Sequence, residues 1–101
     1  ICLDVDIEFA QKAAYLCGLN ILRQLNEASA NNLDLIKNCL KITGYVNSID
    51  TFIDQPKIIN PVSELLVNIL GEAGKHTRAA VSVNSLPLGA CVEVDAIFEI
   101  N

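Results

Sequence analysis

Apolar residues recur at steps of three and four from Asp6 to Glu27. Ile7, Ala10, Ala14, Cys17, Ile21, Leu25 and Ala28 form one stripe, widened by Leu19 and Leu22. That spacing predicts an amphipathic helix. Asp4 and Asp6 place negative charge at its N-terminal end, and Glu8 precedes Lys12 by one turn. Turn-forming residues gather at Ala28-Ser29-Ala30-Asn31-Asn32, where the helix should stop. From Lys37 to Val46 the period changes to two: Leu40, Ile42 and Val46 point one way, Lys41, Thr43 and Tyr45 the other. This segment reads as a strand with one buried face.

Residues Asn47 to Gln55 read as a loop. Asn60-Pro61 then reads as a helix start, with Asn60 as the cap and Pro61 in the first turn, where a missing N–H costs nothing. Val62, Leu65, Leu66, Ile69 and Leu70 form its inward face, and Gly71 is the expected stop. Two alternating runs follow. In Arg78 to Val83, Ala79, Val81 and Val83 share one face, while Arg78, Ala80 and Ser82 share the other. In Ala90 to Ile100, Val92, Val94, Ala96, Phe98 and Ile100 lie opposite Cys91, Glu93, Asp95, Ile97 and Glu99. Asn84 to Gly89 joins them as a short loop, so the pair reads as a hairpin. The order α, β, α, β, β predicts one α+β domain over residues 1–101, with helices covering one face of a small sheet.

Composition narrows the function. The 101 residues are 51% hydrophobic with a formal charge of −5, and the sequence pI is near 4.6. An acidic chain without clustered Lys and Arg is a poor match to nucleic acid. The longest apolar runs fall well short of the roughly 20 residues that span a bilayer. No secretory leader is visible, and the expected location is the cytoplasm. Cys2, Cys17, Cys39 and Cys91 are scattered, and His76 is the one histidine. Such spacing suits buried, reduced thiols rather than a zinc site or a disulfide framework. The segment Gly71-Glu72-Ala73-Gly74-Lys75-His76 is not a P-loop.

The hairpin carries the candidate chemistry. If Val83 pairs with Ala90, Arg78 faces Asp95, Ala80 faces Glu93, and Glu93 is diagonal to Arg78. The plain reading is a surface salt bridge. The functional reading is an anion site, because a guanidinium binds a carboxylate through two parallel N–H groups, and a nearby Glu93 can position or deprotonate a water. His76, at the strand entrance, reads as a solvated or hydrogen-bonded residue rather than a base.

The stretch GEAGKHTRAAVSVNSLPLGACVEVDAIFEI resembles the C-terminal signature of the RidA/YjgF family of reactive-intermediate deaminases, whose older names are L-PSP endoribonuclease and translation inhibitor. The likeness extends upstream through LNILRQL, KITGYVNSIDTF and DQPKIINPVSELLVNILGEAG, which is nearly the whole chain. It implies a chorismate-mutase-like α+β fold with two helices on one face of the sheet, and a homotrimer with clefts between subunits. The implied activity is hydrolysis of enamines and imines such as 2-aminoacrylate to 2-keto acids and ammonia, with no metal or organic cofactor. By position, Arg78 matches the residue that holds the substrate carboxylate, Glu93 the one that positions the attacking water, and Asn60 a cleft-lining Asn. The family often has Cys where this chain has Ala80. Its N-terminal hairpin is absent here, with Ile1 to Val5 resembling that region's tail. The alternatives are a non-catalytic trimeric module that binds small carboxylate metabolites, and the ribonuclease or translation-inhibitor activity of the older names. The acidic pI stands against the last.

Overall fold

In the computed structural model, which describes residues 6–48 and 52–101, the first stripe forms helix α1, Ile7–Ala28. Asp6 caps it by accepting from the Phe9 backbone N–H at 2.8 Å. It ends where the turn residues predict, with Ala30 and Asn31 in the left-handed region at φ 54° and 64°. The inference about Ile1 to Val5 lies outside the described residues.

Strand β1, Ile36–Asn47, departs from the expected alternation. Its buried positions are Ile36, Cys39, Ile42, Gly44 and Val46, so the period is three before it becomes two. Two register shifts against its antiparallel neighbour, at Ile36/Asn38 and Cys39/Lys41, cause this. Each extra residue turns the following side chains to the other face. Leu40 is thereby exposed, contrary to its expected inward direction, and Cys39 is buried in its place.

Helix α2 spans Gln55–Leu70, so it begins five residues before Asn60. Asp54 is the capping position and Pro56 takes the early slot that suits proline. Asn60 is therefore no cap, and Pro61 lies inside the helix. A proline there cannot donate to the carbonyl four residues back, that of Lys57. Gln11 of α1 repairs the loss: its Nε2 donates to the Lys57 carbonyl at 2.9 Å. Gln11→Leu should lower stability by about 1 kcal/mol in urea unfolding, and an unchanged midpoint would show that water serves that carbonyl equally well.

Strands β2, Thr77–Val83, and β3, Val92–Ile100, complete a sheet of order β2-β1-β3. β2 runs parallel to β1 and β3 antiparallel to it. The expected β2–β3 hairpin does not form. Helix α2 is the crossover that returns β2 parallel to β1, and β1 then separates β2 from β3. The connection carries Leu88 and Gly89 at φ 60° and 70°.

Both helices pack on one face of this mixed sheet, the α+β arrangement expected. Ala10 and Ala14 of α1, Ile58, Ile59, Val62 and Leu66 of α2, Cys39, Ile42 and Val46 of β1, and Val92 of β3 make the core. α2 sits so close to β1 that a Cβ at Gly44 would collide with the Ile59 side chain. Val94, Ala96 and Phe98 face the helices as their alternation predicts. Among the described residues nothing covers the opposite face, where Leu40, Val81 and Ile97 are exposed. Among the described residues no helix is long and apolar enough to cross a membrane.

Cys17, Cys39 and Cys91 are thiols; Cys39 is buried, whereas the other two are only half-buried. Burial pushes the Cys39 thiol from about 9 up to about 11, opposed by the Lys41 backbone N–H. Burial also raises Cys17, with smaller contributions from Cys91 and Glu93. Because the folded state raises the Cys39 value, its stabilisation is complete below about pH 9 and disappears as pH rises through about 11. Stability should fall across that window in wild type and fall less steeply in Cys39→Ala, as read from urea midpoints. Equal slopes would remove Cys39 as the cause.

Candidate functional site

Arg78 is the second residue of β2 and pairs in register with Ile42 of β1. Ile42 points into the core, so Arg78 leans to the same side, towards α2. There it meets Asn60 and Ser63, which share one helix face at a spacing of three. Its Nη1 donates to Asn60 Oδ1 at 2.8 Å and to Ser63 Oγ at 3.2 Å. His76 stands behind them: Nδ1 lies 2.6 Å from the Gly74 carbonyl oxygen and Nε2 lies 3.0 Å from Ser63 Oγ. A carbonyl oxygen only accepts, so Nδ1 carries the hydrogen. In the neutral ring Nε2 then accepts from the Ser63 hydroxyl.

Two sequence candidates, Arg78 and Asn60, are thus brought into contact. The sequence signal for Ser63 is its three-residue spacing from Asn60, which has no meaning if Asn60 is a cap outside the helix. His76 is hydrogen-bonded, as expected of it. A depression of about 360 Å³ lies beside Ser63, also lined by Glu64, Val67 and Asn68. Another of similar volume runs between α1 and β3, past Ile21, Gln24 and Val94, away from Arg78.

The carboxylates are placed differently from the sequence expectation. Glu93 is in register with Tyr45, and Asp95 with Thr43. These positions alternate with Ile42, so both acids point away from the helices while Arg78 points towards them. Two strand spacings and a three-residue offset separate Glu93 from Arg78 by roughly 14 Å within one chain. Asp95 accepts from the Tyr45 hydroxyl at 3.2 Å. That hydrogen bond, and then the Asp95 charge, hold the Tyr45 phenol above its ordinary value. Among the described residues the ion pairs are Lys12–Glu8, Lys37–Glu99 and Lys75–Glu72, and no carboxylate lies within 4 Å of the Arg78 guanidinium. Nor do three His, Cys, Asp or Glu side chains converge as a metal set among them.

Comparison with known proteins bears directly on this arrangement. The family profile described as "YjgF/chorismate mutase-like, putative endoribonuclease" matches residues 2–100. The chain belongs to the YjgF/chorismate-mutase-like family. Protein TCP17 of Trypanosoma cruzi is 41% identical over 92 residues, which are 90% of this chain and 57% of that protein. The crystal structure of Atu1372 from Agrobacterium tumefaciens, a protein of unknown function, superposes with a TM-score of 0.95 at 46% identity. It covers all of this chain, which spans 64% of Atu1372. The structure of a "putative endoribonuclease" from Shewanella oneidensis gives a TM-score of 0.90 at 31% identity, over 97% of this chain and 64% of that one. This YjgF-like chain therefore spans under two thirds of the length of these relatives.

Proposed function

We propose that this protein binds a small carboxylate-bearing metabolite on Arg78 and Asn60 and hydrolyses reactive enamines or imines of the 2-aminoacrylate type to 2-keto acids and ammonia. The observation that carries this reading is the state of Arg78. It is anchored through Nη1 by two neutral acceptors, with no carboxylate within ion-pair reach among the described residues. The Nε and Nη2 edge of the fork is the geometry that takes a planar carboxylate through two hydrogen bonds.

With the carboxylate seated there, the adjoining C2 atom of the substrate is fixed in place. The enamine takes a proton at C3 and becomes the imine. Water then adds its oxygen to C2, a proton passes to nitrogen, the C–N bond breaks, and the ketone forms as ammonia leaves. The imine is already electrophilic, so holding it beside one placed water supplies much of the acceleration. Glu93 suits the placing of that water, but it lies on the far face of its own sheet. The reading therefore draws Glu93 from a neighbouring copy, in a homotrimer with clefts between subunits. The uncovered face bearing Leu40, Val81 and Ile97 supports such an assembly.

The ribonuclease reading rests on the family description and on the name of the Shewanella relative. Against it stand the net charge of −5 and a sequence without clustered Lys and Arg. The decisive measurement mixes the protein with enzymatically generated 2-aminoacrylate and follows keto-acid release. Acceleration over buffer is expected, and its absence would sink the deaminase. Glu93→Gln should lose turnover while retaining keto-acid binding; loss of both would argue against a water-placing role. RNA binding that weakens steeply with salt would favour the ribonuclease.

A further inference from the structure

We infer that Ser63 and His76 are positioning residues for Arg78, forming a hydrogen-bonded ladder that fixes which edge of the guanidinium meets the ligand. This rests on the reading of Arg78 as a carboxylate holder. With the imidazole neutral, each rung has one direction. Gly74 O accepts from His76 Nδ1–H at 2.6 Å, His76 Nε2 accepts from the Ser63 hydroxyl at 3.0 Å, and Ser63 Oγ accepts from Arg78 Nη1 at 3.2 Å. The ladder starts from a rigid point. Gly74 is buried, and a Cβ there would run into the Leu66 carbonyl and come within 3.0 Å of Val67 Cα, so its backbone lies directly on the last turns of α2.

The consequence is geometric. A long arginine on an edge strand ordinarily samples many rotamers, and ordering it costs binding free energy. Asn60 alone pins Nη1 at one point and leaves the plane of the guanidinium able to turn. Ser63 supplies the second point. His76 ensures that Ser63 offers Arg78 a lone pair rather than its hydrogen, because that hydrogen is already directed at Nε2. The fork is thus set before the ligand arrives, with Nε and Nη2 outward.

Full-length wild type, Ser63→Ala, Ser63→Thr, His76→Phe, the Ser63→Ala/His76→Phe double variant and Arg78→Ala would be compared. The probe is 2-oxobutyrate, titrated calorimetrically, alongside KM and kcat for imine turnover and the thermal midpoint. Ser63→Ala and His76→Phe should each raise Kd and KM together by about tenfold, with kcat changed less than threefold. The double variant should be no weaker than Ser63→Ala, because both act through one bond. Ser63→Thr, which keeps the hydroxyl, should recover binding to within threefold. The imidazole nitrogen resonances should report an Nδ1–H tautomer in wild type and lose that pattern in Ser63→Ala. Normal Kd in a folded His76→Phe variant, or additive losses in the double, would overturn the ladder. Wild-type affinity in Arg78→Ala, or no carboxylate binding by wild type, would instead overturn the carboxylate reading. The tautomer signature and the immobilisation of the Arg78 side-chain nitrogens would then decide the ladder separately.

Discussion

Arg78→Ala should weaken 2-keto-acid binding by about 100-fold and reduce kcat/KM at least as much. The substitution removes the cation and both outward N–H donors, and the remaining Asn60 and Ser63 are neutral. Arg78→Lys should restore less than a tenth of the lost affinity. A lysine carries the charge, but as a point on a flexible stem it cannot present two parallel donors while also satisfying Asn60. The thermal midpoint should move by only a few degrees in either variant, since Arg78 is exposed and holds no ion pair among the described residues. Calorimetric titration with 2-oxobutyrate checks the two affinities, imine turnover kinetics the kcat/KM, and a thermal melt the midpoint. An alanine variant that binds normally would show that Arg78 is an ordinary surface residue of β2.

Gly74→Ala should destabilise the fold by about 3 kcal/mol, lowering the midpoint by about 15 °C for a chain of this size. The obstacle is backbone rather than side chain: the added methyl meets the Leu66 carbonyl and the Val67 Cα. A flexible side chain could swing away, but a helix backbone carbonyl cannot do so without unwinding the last turns of α2. The turn Gly71–Gly74 must then lift, and it carries the Gly74 carbonyl away from His76. A circular-dichroism melt measures the first effect. Keto-acid titration below the lowered midpoint measures the second, as a loss of binding comparable with His76→Phe. A midpoint within two or three degrees of wild type would mean that the contact relaxes more cheaply than its geometry suggests.

The two helices and β3 were legible because each follows one period without interruption. α1 could be placed to within a residue at each end, and Val92, Val94, Ala96 and Phe98 do face the helices, whereas Ile100 on the same alternation is exposed. β1 was harder. Its two register shifts insert residues that no composition signal marks, so the alternation sends Leu40 inward although it is exposed, while Cys39 is buried as its residue type suggests. The start of α2 is not legible in the sequence because two prolines compete for one role. Asn60-Pro61 is a good local start, but Asp54 and Pro56 lie earlier, and Gln11, distant in sequence, removes the penalty on Pro61. In the candidate site, Arg78 stands out in the sequence for its donor chemistry, and family likeness points to both Arg78 and Asn60. Their contact and the part of Ser63 depend on α2 lying over β2, which is a tertiary fact. The same cause undid the hairpin: a six-residue loop between alternating runs usually joins neighbours, but β1 had already occupied the position between them.

That occupancy has a kinetic consequence. Among the described residues every strand pairing runs through β1, and none is local, from Lys41–Thr77 on one side to Ile36–Ile100 on the other. Loop-closure entropy is paid before these contacts form, so the chain should fold slowly for its size. The β1–α2–β2 unit closes the shorter separations and is the natural nucleus, whereas β3 joins last. Truncations on the inward face of β3, such as Phe98→Ala, should then accelerate unfolding and leave the folding limb of a chevron almost unmoved. Equal changes in both limbs would place β3 in the nucleus. Until β3 docks, one edge of β1 is an unpaired row of backbone N–H and C=O groups, and crowded refolding should lose material to aggregation during that interval.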